Sequence, residues 1–118
     1  MRSFDITNIN ELNASNEELK ISGKTNSLVI TVDANKTAKI LFLDANIANL
    51  TVNIEANANI ALNFIHFQEY SAKQTINASY GSNVIIKEIA SNKISLDSIF
   101  NLNGEHASID TSCLIVAK

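Results

Sequence analysis

The feature that most constrains this chain is a repeat of about 23 residues that recurs four times. In each repeat, a small corner residue precedes a strand that begins with a small or branched apolar residue. The strand starts lie 22, 24 and 23 positions apart, at Ala38, Ile60, Val84 and Ala107. The corners are Ala34, Asn57, Gly81 and Gly104. A fixed period of this length is typical of a solenoid, in which each repeat packs only on its neighbours.

Strand phase supports the same register, because every second side chain of a strand lies on one face. The face that includes the strand starts is nearly all apolar, and it reads Ala38, Ile40, Phe42; Ile60, Leu62, Phe64; Val84, Ile86; and Ala107, Ile109, Thr111, Cys113, Ile115. The opposite face begins with polar residues, apart from Ala61 and Ile85. We therefore expect an all-β fold, a single-stranded right-handed parallel β-helix (solenoid) of about five coils.

The composition fits short strands that are joined by asparagine corners. The chain has 17 Asn and 17 Ile but only 3 Gly and no Pro. The branched β-carbon of Ile suits a strand, and Asn tolerates the left-handed backbone of a turn. A leucine-rich repeat has a similar period, but its Leu-rich consensus is missing from the sequence. A β-sandwich is the alternative fold, and it would require Asn-Gly or Asp-Gly hairpin turns. Asn103-Gly104 is the single such pair.

We expect one domain over residues 1–118, with a less regular N-terminal cap at residues 1–20. The segment Ser15–Glu18 fits a helix capping box, which predicts a short helical turn there. Gly104 is expected at a corner where the backbone has a positive φ, with Gly81 as its partner one coil earlier. The last strand would present an unpaired edge, and such an edge favours pairing with another chain.

Charge and hydropathy argue against several classes of function. The net charge is −3 and the 9 Lys and Arg are scattered, so we expect no nucleic-acid partner, which would need clustered cations. No apolar run approaches the roughly 20 residues that cross a bilayer, and the N-terminus lacks an apolar signal segment. One Cys cannot build a disulfide framework. We therefore expect a cytoplasmic protein without a membrane partner.

The segment SLDSIFNLNGEHASIDTSCLIVAK resembles one that members of the SufB/SufD family carry, in which a strand leads into Leu-Asn-Gly-Glu-x-Ala and then a further strand. The residues that match are Leu102, Asn103, Gly104, Glu105 and Ala107. The segment NANIALNFIHFQ, residues 57–68, is similar to the family's other recurring segment. Together with the repeat, the resemblance covers roughly residues 28–118. It implies a parallel β-helix core and membership in the machinery that assembles iron–sulfur clusters.

The resemblance also implies protein partners. In the family, SufB and SufD bind each other and an ABC-type ATPase, SufC. We therefore expect a SufB/SufD-like paralogue and this ATPase as partners, and a homo-oligomer of the chain itself.

Family members continue past the strand that corresponds to CLIVAK, with further coils, a His- and Cys-bearing segment and helices that hold the ATPase. We therefore expect a chain truncated relative to the family, which makes it a short paralogue, a remnant or a fragment. No cluster ligand is carried over, and no cofactor is expected on the chain in isolation.

The residues with reactive side chains favour structural roles. Cys113 shares its phase with Ile109 and Ile115, so we expect it in the core, where a free Cys behaves as a small hydrophobic residue. His66 is expected to be a hydrogen-bonded histidine near a strand end, and His106 a solvated corner residue. Their separation of 40 positions gives no metal-ligand spacing. We expect no catalytic residue and no metal site, and we predict that the protein is not an enzyme.

Six apolar residues late in the strands are out of phase with the core and form the candidate interface. If the strands stay extended, these residues make an apolar stripe on the outer surface, and contiguous apolar area usually marks contact with another protein. The alternative is that a second sheet or the N-terminal segment covers the stripe. The residues are Leu41, Leu43, Ile65, Phe67, Leu114 and Val116.

These features favour a non-enzymatic SufB/SufD-like β-helix protein that acts in iron–sulfur cluster assembly through protein–protein contacts. The alternative is a self-assembling structural β-helix protein of the bacterial cytoskeletal type. Those chains are also short and have exposed edges, but they are usually rich in Gly and Val. A β-helix that acts on polysaccharides is a third alternative, and the short chain and the 6% aromatic content argue against it.

Overall fold

The computed structural model describes residues 2–116, apart from the side chain of Asn8, and consists almost wholly of β-strands. One 3₁₀ turn, Ile6–Asn8, follows the first strand. The strands are β1 (Arg2–Asp5), β2 (Glu11–Ala14), β3 (Glu17–Ser22), β4 (Lys24–Val32), β5 (Thr37–Leu43), β6 (Asn46–Ile54), β7 (Asn59–His66), β8 (Tyr70–Ala78), β9 (Asn83–Ala90), β10 (Ile94–Leu102) and β11 (Ser108–Ile115). In this part of the chain, no helix is long and apolar enough to span a membrane.

Two parallel sheets form the walls of a β-solenoid. The odd-numbered strands build a six-stranded sheet in the order β1-β3-β5-β7-β9-β11, which we call sheet A. The even-numbered strands build a five-stranded sheet in the order β2-β4-β6-β8-β10, which we call sheet B. Each strand pairs in parallel with the strand one coil before or after it. The predicted parallel β-helix is therefore confirmed.

The winding makes about four turns, slightly fewer than the five expected. Four complete coils, from β3 to β10, carry strands of six to nine residues. β1 and β2 have four residues each, and β11 adds a half coil at the other end. The first coil is short, because the chain makes its first winding with strands half the usual length.

The helical turn predicted at Ser15–Glu18 is wrong, because the 3₁₀ turn lies earlier in the chain. Ser15 and Asn16 form a corner in which Asn16 has a φ of 50°. The N–H of Ser15 donates a hydrogen bond of 3.3 Å to the Glu17 carboxylate. Leu19 and Ile21 alternate into the core and are fully buried. Their period of two and the pairing of β3 with β5 favour a strand over a helix.

The predicted register holds for the first three strand starts. Ala38 lies opposite Ile60, and Ile60 lies opposite Val84. In the last coil, Ile109 rather than Ala107 lies opposite Val84, because the corner at 103–107 is one residue longer than the corner at 79–82. A shift of two positions keeps every side chain on the same face, so the predicted inward column is preserved.

Side chains from both sheets fill the space between them. The predicted inward residues of β5, β7 and β9 are buried. Phe42 and Phe64 stack with their ring centroids 4.3 Å apart, so equivalent side chains of adjacent coils touch directly. Burial of one large apolar side chain contributes about 1.5–3 kcal/mol. This stack of apolar side chains is therefore the main source of stability.

The coils widen from the N-terminal to the C-terminal end. Arg2 pairs with Leu19, which lies 17 positions later, whereas Val84 pairs with Ile109, which lies 25 positions later. The connection is one residue after β3, two after β5, and three after β7 and β9. At the narrow end, the 3₁₀ turn places the Ile6 side chain in the core, where it is fully buried. The 3₁₀ turn thus closes the narrow end.

Asparagine residues shape several corners, as the composition predicted. Asn16, Asn35 and Asn57 each have a φ between 50° and 63°, a conformation that Asn tolerates better than most residues. The side chain of Asn16 also links two coils, because its Oδ1 accepts a hydrogen bond of 3.0 Å from the N–H of Thr37.

The explanation predicted for Gly104 is wrong. The positive φ of its corner belongs to His106, at 63°, while Gly81 does have a positive φ of 68°. Gly104 lies against Tyr80, and a Cβ at position 104 would come within 2.9 Å of the Tyr80 backbone nitrogen. The N–H of Gly81 donates to the carbonyl of Glu105 at 3.0 Å. Gly104 is thus required for the close approach of two corners.

Candidate interaction surfaces

Four apolar side chains form a column on the outer surface of sheet A. Leu43 lies opposite Ile65, Ile65 opposite Ile89, and Ile89 opposite Leu114. Neighbouring strands lie about 4.8 Å apart, so the column extends over roughly 15 Å. Leu43 and Ile65 are half-buried, and Ile89 and Leu114 are exposed. We call these four residues the outer column.

Three of the six candidate interface residues, Leu43, Ile65 and Leu114, belong to the outer column. Phe67 follows the end of β7 and Val116 follows the end of β11, and both side chains are exposed. The apolar stripe predicted on the outside is thus present at these positions. Its role as an interface stays a prediction.

Leu41 does not belong to the outer column. It is half-buried and lies between Lys20 and Asn63 in the neighbouring column of sheet A. The sequence analysis also missed Ile89, the third member of the outer column. The signal was available, because Ile89 has the same phase in β9 as Ile85, which had been recognised as an outward apolar residue.

A second apolar surface lies at the wide end of the solenoid. In the described chain, β10 pairs only with β8 and β11 only with β9, so one edge of each strand presents unpaired backbone groups. The inward side chains of this last coil are uncovered, and we call them the end surface. They are Ile94, Leu96, Ser98, Phe100 and Leu102 of β10, and Ile109, Thr111, Cys113 and Ile115 of β11.

Cys113 belongs to the end surface, and the predicted burial of its thiol is wrong. It lies on the inward face, directly opposite Glu88. It is nevertheless exposed, because no strand within residues 2–116 covers β11. Partial burial, and secondarily the Glu88 carboxylate, raise the pKa of the Cys113 thiol. A raised pKa lowers the thiolate fraction, so this environment does not activate the thiol.

A buried ion-pairing histidine and glutamate lie inside the solenoid. The Nε2 atom of His66 is 3.3 Å from the Oε2 atom of Glu88, and the two residues are 1% and 5% exposed. The predicted hydrogen-bonded role of His66 is confirmed. The sequence analysis missed Glu88, although Glu88 has the inward phase of Val84 and Ile86 in the same strand.

Tyr70 packs beside this pair at the start of β8. Its ring stacks on the imidazole of His66 with the centroids 4.3 Å apart, and its hydroxyl donates a hydrogen bond of 2.9 Å to the Ile47 carbonyl. Burial, as the largest cause, raises the pKa of Tyr70 to about 12. The amide nitrogen of Gln74, also buried, has no hydrogen-bond partner among the described residues. These polar groups are enclosed and do not form an open substrate site.

The described residues do not fit an iron–sulfur cluster or another metal. His106 is an exposed corner residue, as predicted, and its ring meets the edge of Tyr80 at 5.9 Å. Within residues 2–116, no group of three or more His, Cys, Asp or Glu side chains could hold a metal ion. Clusters are bound mainly by several Cys thiolates, and Cys113 is the only Cys of the sequence.

The geometry therefore offers two apolar surfaces that could contact proteins, the outer column and the end surface. Comparisons of the chain with protein-family models, with curated proteins and with solved structures gave no match.

Proposed function

We propose that this chain is a non-enzymatic β-helix protein of the SufB/SufD type, which contributes to iron–sulfur cluster assembly in the cytoplasm through contacts with other proteins. The observation that carries this proposal is the outer column, which continues without a polar residue across four strands of sheet A. An apolar surface of this kind favours a protein partner over a small substrate.

The corner that resembles the SufB/SufD family supports the assignment to this pathway. β10 ends at Leu102 and β11 begins at Ser108, so the matched residues form the connection between two strands of adjacent sheets. Gly104 lies too close to Tyr80 for a larger residue. The Gly of the matched pattern thus has a specific packing role in this fold. The cluster itself is the cargo of the machinery, and the chain contributes contacts rather than ligands.

The partner of the outer column in this proposal is the ABC-type ATPase. The column beside it includes Lys20 and Lys87, which lie on either side of Leu41 and Asn63 in the strand order. An apolar stripe next to two cations would suit an amphipathic segment with carboxylates along one border.

The alternative function, a self-assembling structural protein, has less support. An open filament needs the two ends of each copy to match. The winding takes 17 residues at one end and 25 at the other, and the narrow end is closed by the 3₁₀ turn. Head-to-tail stacking would therefore leave much of the wide end uncovered.

The test is co-expression of the tagged chain with the ABC-type iron–sulfur ATPase of the same organism, followed by affinity purification. We expect the two proteins to co-purify, and Ile89→Lys to abolish the co-purification. The matched control is Ile99→Lys on the outward face of sheet B, because Ile99 is also exposed. Absence of the ATPase from the wild-type eluate, or equal loss with both variants, would overturn the proposal.

A further inference from the structure

The geometry points to a second copy of this chain as the occupant of the end surface, docked head to head about a two-fold axis that crosses the solenoid. β10 would pair antiparallel with the partner's β10, and β11 antiparallel with the partner's β11. The two sheets of each copy would then continue into the sheets of the other. This inference is independent of the pathway and of the outer column.

The first argument is that β10 is self-complementary on its inward face. An isologous interface brings each residue against the residue at the mirrored position of the same strand. With Ser98 on the axis, Leu96 faces the partner's Phe100, and Ile94 faces the partner's Leu102. Every large apolar side chain of this strand thus meets another, and the small Ser98 meets itself at the centre.

The same symmetry holds for β11, which makes the match a property of the whole surface. With Ser112 on the axis, Ile109 faces the partner's Ile115, and Thr111 faces the partner's Cys113. The two branched apolar residues meet at the ends of the strand, and the two small polar residues meet near its centre.

One axis serves both strands. Ser98 lies four positions before Leu102, where β10 ends, and Ser112 lies four positions after Ser108, where β11 begins. The two serines are therefore equally far from the corner that joins the strands, and they lie opposite each other across the core. A single two-fold axis perpendicular to the sheets can pass through both.

Charge does not oppose this pairing. β10 contains one charged residue, Asp97, and β11 contains one, Asp110. About the same axis, Asp97 faces the partner's Ile99 and Asp110 faces the partner's Leu114, so no two carboxylates lie opposite each other. Native sheets usually protect an exposed edge with Lys, Pro or a bulge, and neither of these strands contains a Lys or a Pro.

The size of the surface is sufficient for a specific dimer. A nine-residue strand is about 30 Å long and packed sheets lie about 10 Å apart, so the end of the solenoid, with its side chains, presents about 600 Å². Two copies would bury about 1,200 Å² in total, which is at the lower limit for stable specific interfaces. The closed, narrow N-terminal end offers no comparable partner surface.

The first experiment measures the mass of the 118-residue chain by size-exclusion chromatography with light scattering, over concentrations from about 1 to 200 μM. We expect a particle of twice the 12.8 kDa chain mass. Phe100→Asp should give a monomer, and Ile99→Asp should remain a dimer. These neighbours are similarly exposed, at 41% and 39%, but lie on opposite faces. Circular dichroism and thermal melting check that both variants are folded.

The second experiment places a thiol on the axis, with Cys113→Ser as the background. Ser98→Cys should form a disulfide-linked dimer under mild oxidation, because the two sulfur atoms would face each other across the axis. Ser95→Cys, which would face the partner's Asn101, should not. A monomer at all concentrations, polymers that lengthen with concentration, dissociation by Ile99→Asp, or cross-linking through position 95 instead of 98 would each overturn the proposal.

Discussion

The imidazole of His66 and the carboxylate of Glu88 lie 3.3 Å apart in the interior of the solenoid, on strands that belong to adjacent coils. Removal of one member of a buried pair leaves the other without its partner, which typically costs about 3–5 kcal/mol. We therefore expect His66→Ala to lower the free energy of unfolding by several kcal/mol in urea denaturation.

The control for this prediction replaces both members with apolar residues. In His66→Phe/Glu88→Leu, neither buried charge remains, so the double variant should be close to the wild type or more stable. A double variant that is less stable than His66→Ala would contradict the assignment of the cost to an unpaired buried carboxylate.

The buried hydroxyl of Tyr70 makes stability depend on pH in the alkaline range. Its folded-state pKa is raised from 10.0 to about 12, so the unfolded chain loses this proton at a lower pH than the folded protein does. The contribution of roughly 3 kcal/mol is present below pH 10 and is lost as the pH rises through 12. Thermal melting should show a falling melting temperature over this interval.

The variant Tyr70→Phe isolates this effect. It should be less stable than the wild type near pH 7 by about 1 kcal/mol, because the Ile47 carbonyl loses its hydrogen bond. Its melting temperature should then fall less between pH 9 and pH 11.5 than that of the wild type. Parallel curves for the two proteins would show that Tyr70 does not titrate in this way.

Gly104 and His106 share one corner but have opposite requirements. A Cβ at position 104 would lie 2.9 Å from the Tyr80 backbone, so Gly104→Ala should lower the free energy of unfolding by about 1–3 kcal/mol. His106 has a φ of 63°, which a glycine adopts without strain. His106→Gly should therefore be neutral or slightly stabilising, as measured by chemical denaturation. The reverse ranking would contradict the corner geometry.

Asn77 stabilises sheet B through a ladder of side-chain amides. It donates to Asn53 at 2.9 Å and accepts from Asn101 at 2.8 Å. Asn77→Ala removes both hydrogen bonds and should cost about 1–3 kcal/mol. Asn63→Ala is the matched control, because Asn63 has no side-chain hydrogen bond among the described residues and also points outward from a strand. Equal losses of stability in the two variants would argue against the ladder.

The sequence predicted the solenoid because its apolar alternation and its period are both local signals. Ile60 and Val84 could be placed opposite each other from their spacing alone. The corner containing Gly104 could not be resolved in the same way, since the left-handed residue depends on how one corner packs on the previous one. Glu88 was missed because its charge suggested an outward position, although its phase indicated the core.

The two candidate surfaces show the same division. Leu43, Ile65 and Leu114 were recognised from their phase, and only their alignment into one column needed the strand register. The end surface could not be derived from phase, because the exposure of Cys113 depends on which strands cover β11. Periodicity indicates the face of a side chain, but it carries no information about whether another coil lies above it.

Pairing in this molecule joins only segments that are 17 to 25 residues apart in the chain. Opening of one coil therefore removes contacts from at most two others, and the order in which backbone amides become accessible should follow position along the axis. The amides of β11, with a neighbour on one side, should exchange with deuterium well before those of β5 and β6. A dimer joined through the wide end would reverse this gradient, so that exchange kinetics alone would report whether a copy is bound.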